Sequence, residues 1–296
     1  MREIIVLSGK GGTGKTTLTA SLAHLAQGQA VLADLDVDAA NLHLVLHPRV
    51  EHREDFVSGH VARVEPSRCS GCGGCVQVCR FAAVHLGEDG SAVVDPRRCE
   101  GCKTCVALCP EAAIAFEPRY CGVWMRSHTR FGPMVHARLE PGGENSGRLV
   151  SVVKQQARQW AAHLGRELIV ADGAPGIGCP VIASLSQAHL AVVVTEPSPS
   201  GVHDLGRVAA VCARFRIPVA VVLNKWDLAP DMAAEVETLC AKQGWTFLGR
   251  LPHDTTVPWA MAQGMAATET QGPWAQAVRT MWPTLLHNIM HSQGGI

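Results

Sequence analysis

The sequence has few aromatic residues, 5% of the chain, and no surplus of either charge: 26 Lys and Arg against 26 Asp and Glu leave a formal net charge of zero. Few rings mean few platforms for base stacking, and no long basic run is present to neutralise a phosphate backbone. Nucleic acid is therefore not an expected partner. Long apolar runs are missing too. Stretches such as "LAVVVT" (190–195) are far too short to cross a bilayer, so no membrane insertion is expected. No secretory leader precedes "IIVLS", which follows Met1 and two charged residues. Nor are the cysteines scattered as a disulfide framework would be: eight of the twelve fall in two tight groups. These features predict a soluble protein of a reducing cytoplasm, with thiolates serving as metal ligands.

What is present is strand–helix alternation, with 47% apolar residues to build a core. Short β-branched runs occur at 3–8, 30–36, 167–172, 190–197 and 218–225, with helix-like segments at 16–27, 147–164, 201–215 and 231–243. Near-continuously apolar strands between helices predict a doubly wound, mostly parallel α/β fold with helices on both faces. The alternation breaks over 60–117, where the cysteine groups sit, and resumes near 147. That predicts a small inserted domain at 60–117, within a larger domain made of 1–59 and 118–296. Residues 118–146 read as a hairpin and loop leading back. An apolar stripe over 274–290, with Arg279 its only charged residue, predicts a closing helix docked on the sheet.

"LSGKGGTGKTT" (7–17) satisfies G-x-x-x-x-G-K-[ST] through Gly9, Gly14, Lys15 and Thr16, after a strand and before a helix. Glycines let backbone N–H groups converge on phosphate oxygens at a helix N-terminus. Lys15 would neutralise the β- and γ-phosphates, and the Thr16 hydroxyl would ligate Mg²⁺. Lys10 is a second lysine that such a loop does not require. "KGGTGKTT" resembles the deviant Walker A motif of the MinD, Mrp and nitrogenase-iron-protein group of ATPases. That resemblance implies an ATP-hydrolysing dimer in which Lys10 reaches the partner's phosphates, a cation supplied in trans to an anionic transition state. It also makes Gly11, Gly12, Thr13 and Thr17 nucleotide-contacting positions.

By the same resemblance Asp36, in "ADLDVDAAN", lies in switch I and orients the attacking water, with Asp34 supporting the Mg²⁺ shell. Asp172 is the Walker B carboxylate, and "DGAPGIG" after it is switch II. Asn224 matches the residue that reads adenine, and Asp254 resembles a late loop residue that closes over the adenosine. "NKWD" (224–227) is also a literal N-K-x-D, the signature that selects guanine in small GTPases.

Cys69-x2-Cys72-x2-Cys75-x3-Cys79 is followed by Cys99-x2-Cys102-x2-Cys105-x3-Cys109-Pro110. This is the bacterial two-cluster ferredoxin run given twice, in which the fourth cysteine of each run ligates the other cluster. The expected sets for two [4Fe–4S] clusters are Cys69, Cys72, Cys75 with Cys109, and Cys99, Cys102, Cys105 with Cys79. Zinc is the rival ligand for C-x2-C pairs, though zinc sites do not need the repeated rhythm. Arg80 stands where a proline often follows the first run. The whole chain thus resembles a MinD/Mrp-type P-loop ATPase carrying an inserted α+β bacterial-type ferredoxin domain.

Cys179 lies seven residues after Asp172, the offset at which the nitrogenase iron protein ligates a cluster shared across its dimer axis. Two such cysteines per subunit are needed, and Cys121 is the candidate second, giving a possible third cluster bridging the dimer. The alternative is a small apolar residue buried behind switch II and an ordinary hairpin cysteine. The expected function is an ATPase, as a homodimer or a heterodimer with a paralogue, whose nucleotide state gates cluster work. That work is either metal-cluster maturation or electron transfer to an unidentified metalloprotein or redox partner. The alternative is a MinD-like positioning ATPase with structural clusters.

Overall fold

A computed structural model of the chain describes residues 1–143 and 145–291. The chain divides into two compact units, one formed by 1–54, 124–138 and 146–296, the other by 55–123 and 139–145. The second unit is wider at both ends than the cysteine segment and takes in a short later stretch.

The first unit opens with β1 (Arg2–Ser8), α1 (Lys15–Leu25), β2 (Ala30–Asp34) and α2 (Leu42–Leu46). A long strand, β3 (Arg49–Val64), leads into the cysteine region, which holds α3 (Gly74–Val78), β4 (Val84–Leu86), β5 (Ala92–Val94) and α4 (Thr104–Leu108). An equally long strand, β6 (Ile114–Thr129), leads out and turns into β7 (Gly132–Leu139). There follow α5 (Ser146–His163), β8 (Leu168–Pro175), α6 (Cys179–Leu185), β9 (Leu190–Thr195), α7 (Pro199–Arg214) and β10 (Val219–Asn224). The chain continues through α8 (Pro230–Gln243), β11 (Thr246–Leu251), α9 (Thr256–Ala262) and α10 (Pro273–His291).

Nine strands form one sheet in the order β11-β10-β9-β1-β8-β2-β7-β6-β3. The pairs joining β11, β10, β9, β1, β8, β2 and β7 are all parallel. The central strands β1, β2, β9 and β10 are almost continuously buried, because helices cover both faces. On one face α1 and α10 bury Leu18, Leu22, Val278, Leu285 and Ile289 against Ile4, Val6, Leu32 and Val192. On the other, α5 packs on β2 and β8, α6 on β8 and α7 on β9. The expected 274–290 stripe accounts for α10: Trp274, Val278, Met281, Leu285 and Ile289 are all buried.

The sequence reading supplies five strands and the hairpin at 118–146, which is β6 with β7; β3 and β11 extend the sheet beyond these. The chain goes from β1 to one side through β8 and β2 and to the other through β9, so the loop after β1 lies at the switch in strand order. In open parallel sheets that position, at the carboxyl ends of the strands, is where ligands bind.

Candidate functional site

The loop between β1 and α1 turns on Gly12 (φ 80°) and Gly14 (φ 97°), left-handed conformations that bring backbone amides toward the start of α1. Gly14 is also hemmed in, since an added Cβ would stand 2.5 Å from the Asn224 side-chain nitrogen. Behind the loop lies a buried ionic cluster. Lys15 Nζ donates to Asp172 Oδ1 at 2.9 Å and Asp36 Oδ2 at 3.4 Å, while Thr16 Oγ1 donates to Asp172 Oδ2 at 2.6 Å and Thr19 Oγ1 to Asp172 Oδ1 at 3.0 Å. Burial alone would lower the Lys15 pKa, but the charges of Asp172 and then Asp36 outweigh it and hold the ammonium above its usual value. Burial raises the Asp36 carboxyl, against the pull of Lys15. The donor set fits a nucleotide phosphate with a divalent cation: an ammonium, a hydroxyl and a carboxylate at a helix N-terminus. The Thr13 hydroxyl adds to the fit, being buried without a hydrogen-bond partner among the described residues.

Asp34 lies beside this cluster. It is fully buried and accepts the backbone amides of Asp36 and Leu42, both at 3.2 Å. Burial first, and the charge of Asp172 second, push its pKa well up. Its carboxyl fastens the turn after β2, and the nearby Lys15 charge pulls its pKa the other way. Lys10 extends from the loop to Glu196 Oε2 at 3.5 Å and Ser200 Oγ at 3.3 Å, in its own chain. Glu196 also holds Lys225 at 2.6 Å.

Beside the loop a cavity is lined by Gly12, Gly14, Thr17, Asn224, Asp254 and Trp274, with Pro252, Val257, Pro258 and Met261 making its apolar walls. Apolar walls with a few fixed polar groups suit a nucleoside. Asn224 and Asp254 both line it, yet both are engaged by protein. Asn224 Nδ2 donates to the Thr13 carbonyl at 2.8 Å and its Oδ1 accepts the Trp274 indole at 3.1 Å. Asp254 accepts Thr256 N and Oγ1 at 2.9 and 2.7 Å on one oxygen and Trp274 N at 3.2 Å on the other. Burial opposes ionisation of Asp254, but these bonds outweigh it and keep the carboxyl low. The two residues therefore hold the pocket's shape. Asp227, the last residue of the literal N-K-x-D, accepts His253 N at 2.7 Å and does not line the cavity. Trp274, legible in the sequence only as part of an apolar stripe, is the pocket residue that sequence reasoning missed.

In the second unit the two cysteine runs adopt matching conformations thirty positions apart. Gly71 (φ 68°) matches Gly101 (φ 59°), Gly73 (φ 72°) matches Lys103 (φ 67°), and Ala82 (φ 49°) matches Ala112 (φ 45°). Each run ends in an amide-to-sulfur bond: Ala83 N donates to Cys79 Sγ and Ala113 N to Cys109 Sγ, both at 3.3 Å. A cavity brings together Cys69, Cys72, Cys75 and Cys109, the crossed set, among Val64, Ala92, Leu108 and Ile114. Cys69 Sγ accepts Ala92 N at 3.5 Å. Four thiols around a cavity, with amides directed at sulfur, form a donor set that fits an iron–sulfur cluster. Among the described residues no three His, Cys, Asp or Glu side chains converge as ligands of a single metal ion would. Of the other set, Cys99 is buried, Cys79 and Cys105 half-buried and Cys102 exposed. The Thr104 hydroxyl, 3.5 Å from Cys102 Sγ, lowers the Cys102 pKa, and the charge of Arg80 acts in the same direction. Burial pushes the thiols of Cys75 and Cys105 up.

Cys121 departs from its expected role. It is 0% exposed, and its thiol donates to the Ser58 carbonyl at 3.3 Å. A ligand shared across a dimer axis must lie at a surface, and Cys121 does not. Cys179 is exposed at the first turn of α6. Among the described residues no helix is long and apolar enough to cross a membrane.

Residues 4–267 match the CobQ/CobB/MinD/ParA nucleotide binding domain. An uncharacterised protein of Methanocaldococcus jannaschii is 33% identical over 225 residues, 75% of this chain and 78% of that one. Among solved structures, the cell division ATPase MinD of Pyrococcus furiosus aligns with a TM-score of 0.57 at 19% identity, covering 97% of this chain and 98% of its own. The septum site-determining protein MinD of Pyrococcus horikoshii, solved in complex with Mg-ADP, gives 0.57 at 17% identity, covering 96% and 95%. At these identities the likeness to the solved structures is one of fold.

Proposed function

The chain belongs to the CobQ/CobB/MinD/ParA family of nucleotide-binding ATPases, and on that footing we propose that it is a Mg²⁺-dependent, dimerising ATPase that gates electron transfer through an inserted two-cluster ferredoxin unit. The observation that carries this reading is the coexistence, in one chain, of the Lys15–Thr16–Asp172 cluster with a cavity lined by Cys69, Cys72, Cys75 and Cys109.

The roles follow from the contacts. Lys15 exchanges Asp172 and Asp36 for phosphate oxygens, and the Thr16 hydroxyl and Asp172 hold the cation and its water. Asp36, released from Lys15, orients the attacking water in switch I. Gly12, Gly14 and Thr17 lie beside the nucleotide, while Asn224 and Asp254 support the base pocket. Lys10 leaves Glu196 and Ser200 to complete the site of a second copy, so hydrolysis depends on assembly. The eight cysteines hold two [4Fe–4S] clusters, which supply one-electron storage when bound.

Burial of Cys121 favours electron transfer over cluster delivery. A bridging cluster held by paired cysteines would be the natural cargo, and clusters ligated by four protein thiolates are poor cargo. The acceptor is a redox partner protein. The test is iron and acid-labile sulfide per chain after anaerobic reconstitution, together with ATPase activity against protein concentration. About eight irons per chain, by the two-cubane count, are expected, with specific activity rising as the chain dimerises. Lys10→Ala is expected to bind ATP and remain inactive. A zinc-loaded chain without iron would exclude the ferredoxin role, and an active monomeric Lys10→Ala would exclude the trans lysine.

A further inference from the structure

The two cysteine sites differ in charge, and the crossing of the fourth cysteines makes the difference larger. Under the thirty-residue shift Ser70 becomes Glu100 and Gly73 and Gly74 become Lys103 and Thr104, while Arg80 and Phe81 become Pro110 and Glu111. Had each run closed its own site, one site would hold Arg80 and the other Lys103. Crossing instead places Arg80, next to Cys79, with the site that contains Lys103 and Thr104.

The cavities bear this out. The one with Cys69, Cys72, Cys75 and Cys109 is lined by Gly73, Gly74, Pro110 and Glu111, with no cation. A separate pocket at Cys102 is lined by Val78, Arg80, Phe81 and Thr104. The Thr104 hydroxyl lies 3.5 Å from Cys102 Sγ. Lys103, next in the chain after Cys102, has a φ of 67°, left-handed as Gly73 is at 72°. That conformation costs a lysine energy that it does not cost a glycine. Its ammonium is 5.6 Å from the centre of the Phe116 ring.

Resting on the ferredoxin reading, we propose that Arg80, Lys103 and Thr104 make the Cys99/Cys102/Cys105/Cys79 site the more easily reduced of the two. Reduction adds one negative charge to a site. Neighbouring cations, and the Thr104 hydroxyl when it donates to sulfur, stabilise that charge. Carboxylates oppose it: the Cys99/Cys102/Cys105/Cys79 site sets Glu100 against two cations, Arg80 and Lys103, whereas the other has Glu111 and no lining cation. One electron from a low-potential one-electron donor therefore resides at this site first, and the Cys69/Cys72/Cys75/Cys109 site fills only at lower potential.

The test is a redox titration of full-length reconstituted protein followed by electron paramagnetic resonance, with iron counted for every sample. Two midpoints are expected, separated by at least tenfold in electron partition, about 59 mV for one electron. Arg80→Gln and Thr104→Val should each lower only the higher midpoint, and Glu111→Gln should raise only the lower. Should Arg80→Gln lose iron, Thr104→Val and Glu111→Gln decide the matter. A full iron complement with one shared midpoint overturns the proposal and leaves the ferredoxin reading standing, as does a variant that moves the wrong midpoint. A wild-type chain that takes up no iron overturns both.

Discussion

At the scale of single residues, Asn224 ties three parts of the nucleotide site together. Its amide nitrogen is bonded to the loop carbonyl of Thr13 and its oxygen to the Trp274 indole at the start of α10. Asn224→Ala leaves both partners buried and unpaired, and each such group costs roughly 1–3 kcal/mol. Asn224→Asp keeps the acceptor for Trp274 but sets a second oxygen against the Thr13 carbonyl. Both variants are expected to be less stable by urea titration, and calorimetry should find nucleotide affinity reduced at least about tenfold, the equivalent of roughly 1.4 kcal/mol. Unchanged affinity in Asn224→Ala would assign the residue to the fold alone. Lys15 and Thr16 were legible from the spacing of the loop, and Asp36 and Asp172 from the family resemblance. The contacts by which Asn224, Asp254 and Trp274 hold one another were not, because they depend on which side chains meet across long sequence separations.

At the scale of elements, the parallel core strands could be read directly, since burial on both faces leaves a continuous apolar run. The hairpin at 118–146 was also read, and it is β6 with β7, but β3 was not. Most of β3 is exposed, with His52, Arg53, Glu54 and Asp55 in succession, so no apolar period marks it. The edge strand β11 is short and only half-buried. The β6–β7 pair carries its own pH sensitivity: His136 on β7 meets Ser127 Oγ on β6 at 2.8 Å, and burial, then the charge of His43, lowers its pKa to about 4. A histidine with a depressed folded pKa contributes stability above its unfolded pKa and loses it as pH falls toward the folded value. The window here runs from the ordinary histidine value of 6.5 down to about 4. Between pH 7 and pH 5 this group alone should cost about 2 kcal/mol. His136→Gln should remove that loss. Urea titrations of both proteins at the two pH values give the comparison, and an identical pH response would show that His136 does not titrate in this range.

At the scale of the whole molecule, the cysteine region lies between two long strands: β3 leads in and β6 leads out, and the two are neighbours in the nine-stranded sheet. Just beyond their ends Glu65 N donates to the Ala113 carbonyl at 2.8 Å, so the chain re-emerges beside the point at which it left. Two hydrogen-bonded residues at that separation can be joined by a tight turn, for which Asn-Gly is the favoured pair. Replacing 66–112 by Asn-Gly removes all eight cysteines of the two runs and leaves the loop after β1, residues 34–38 and 172–178, and the cavity lined by Asn224 and Trp274 intact in sequence. The shortened chain is expected to bind ATP with affinity within a few-fold of the full protein and to take up no iron. Its ATPase activity should still rise with protein concentration, because Lys10 and its proposed partner site are retained. If the excised chain folds by circular dichroism yet no longer binds ATP, the two units are coupled in nucleotide binding itself. Gating would then begin at the binding step, before dimerisation.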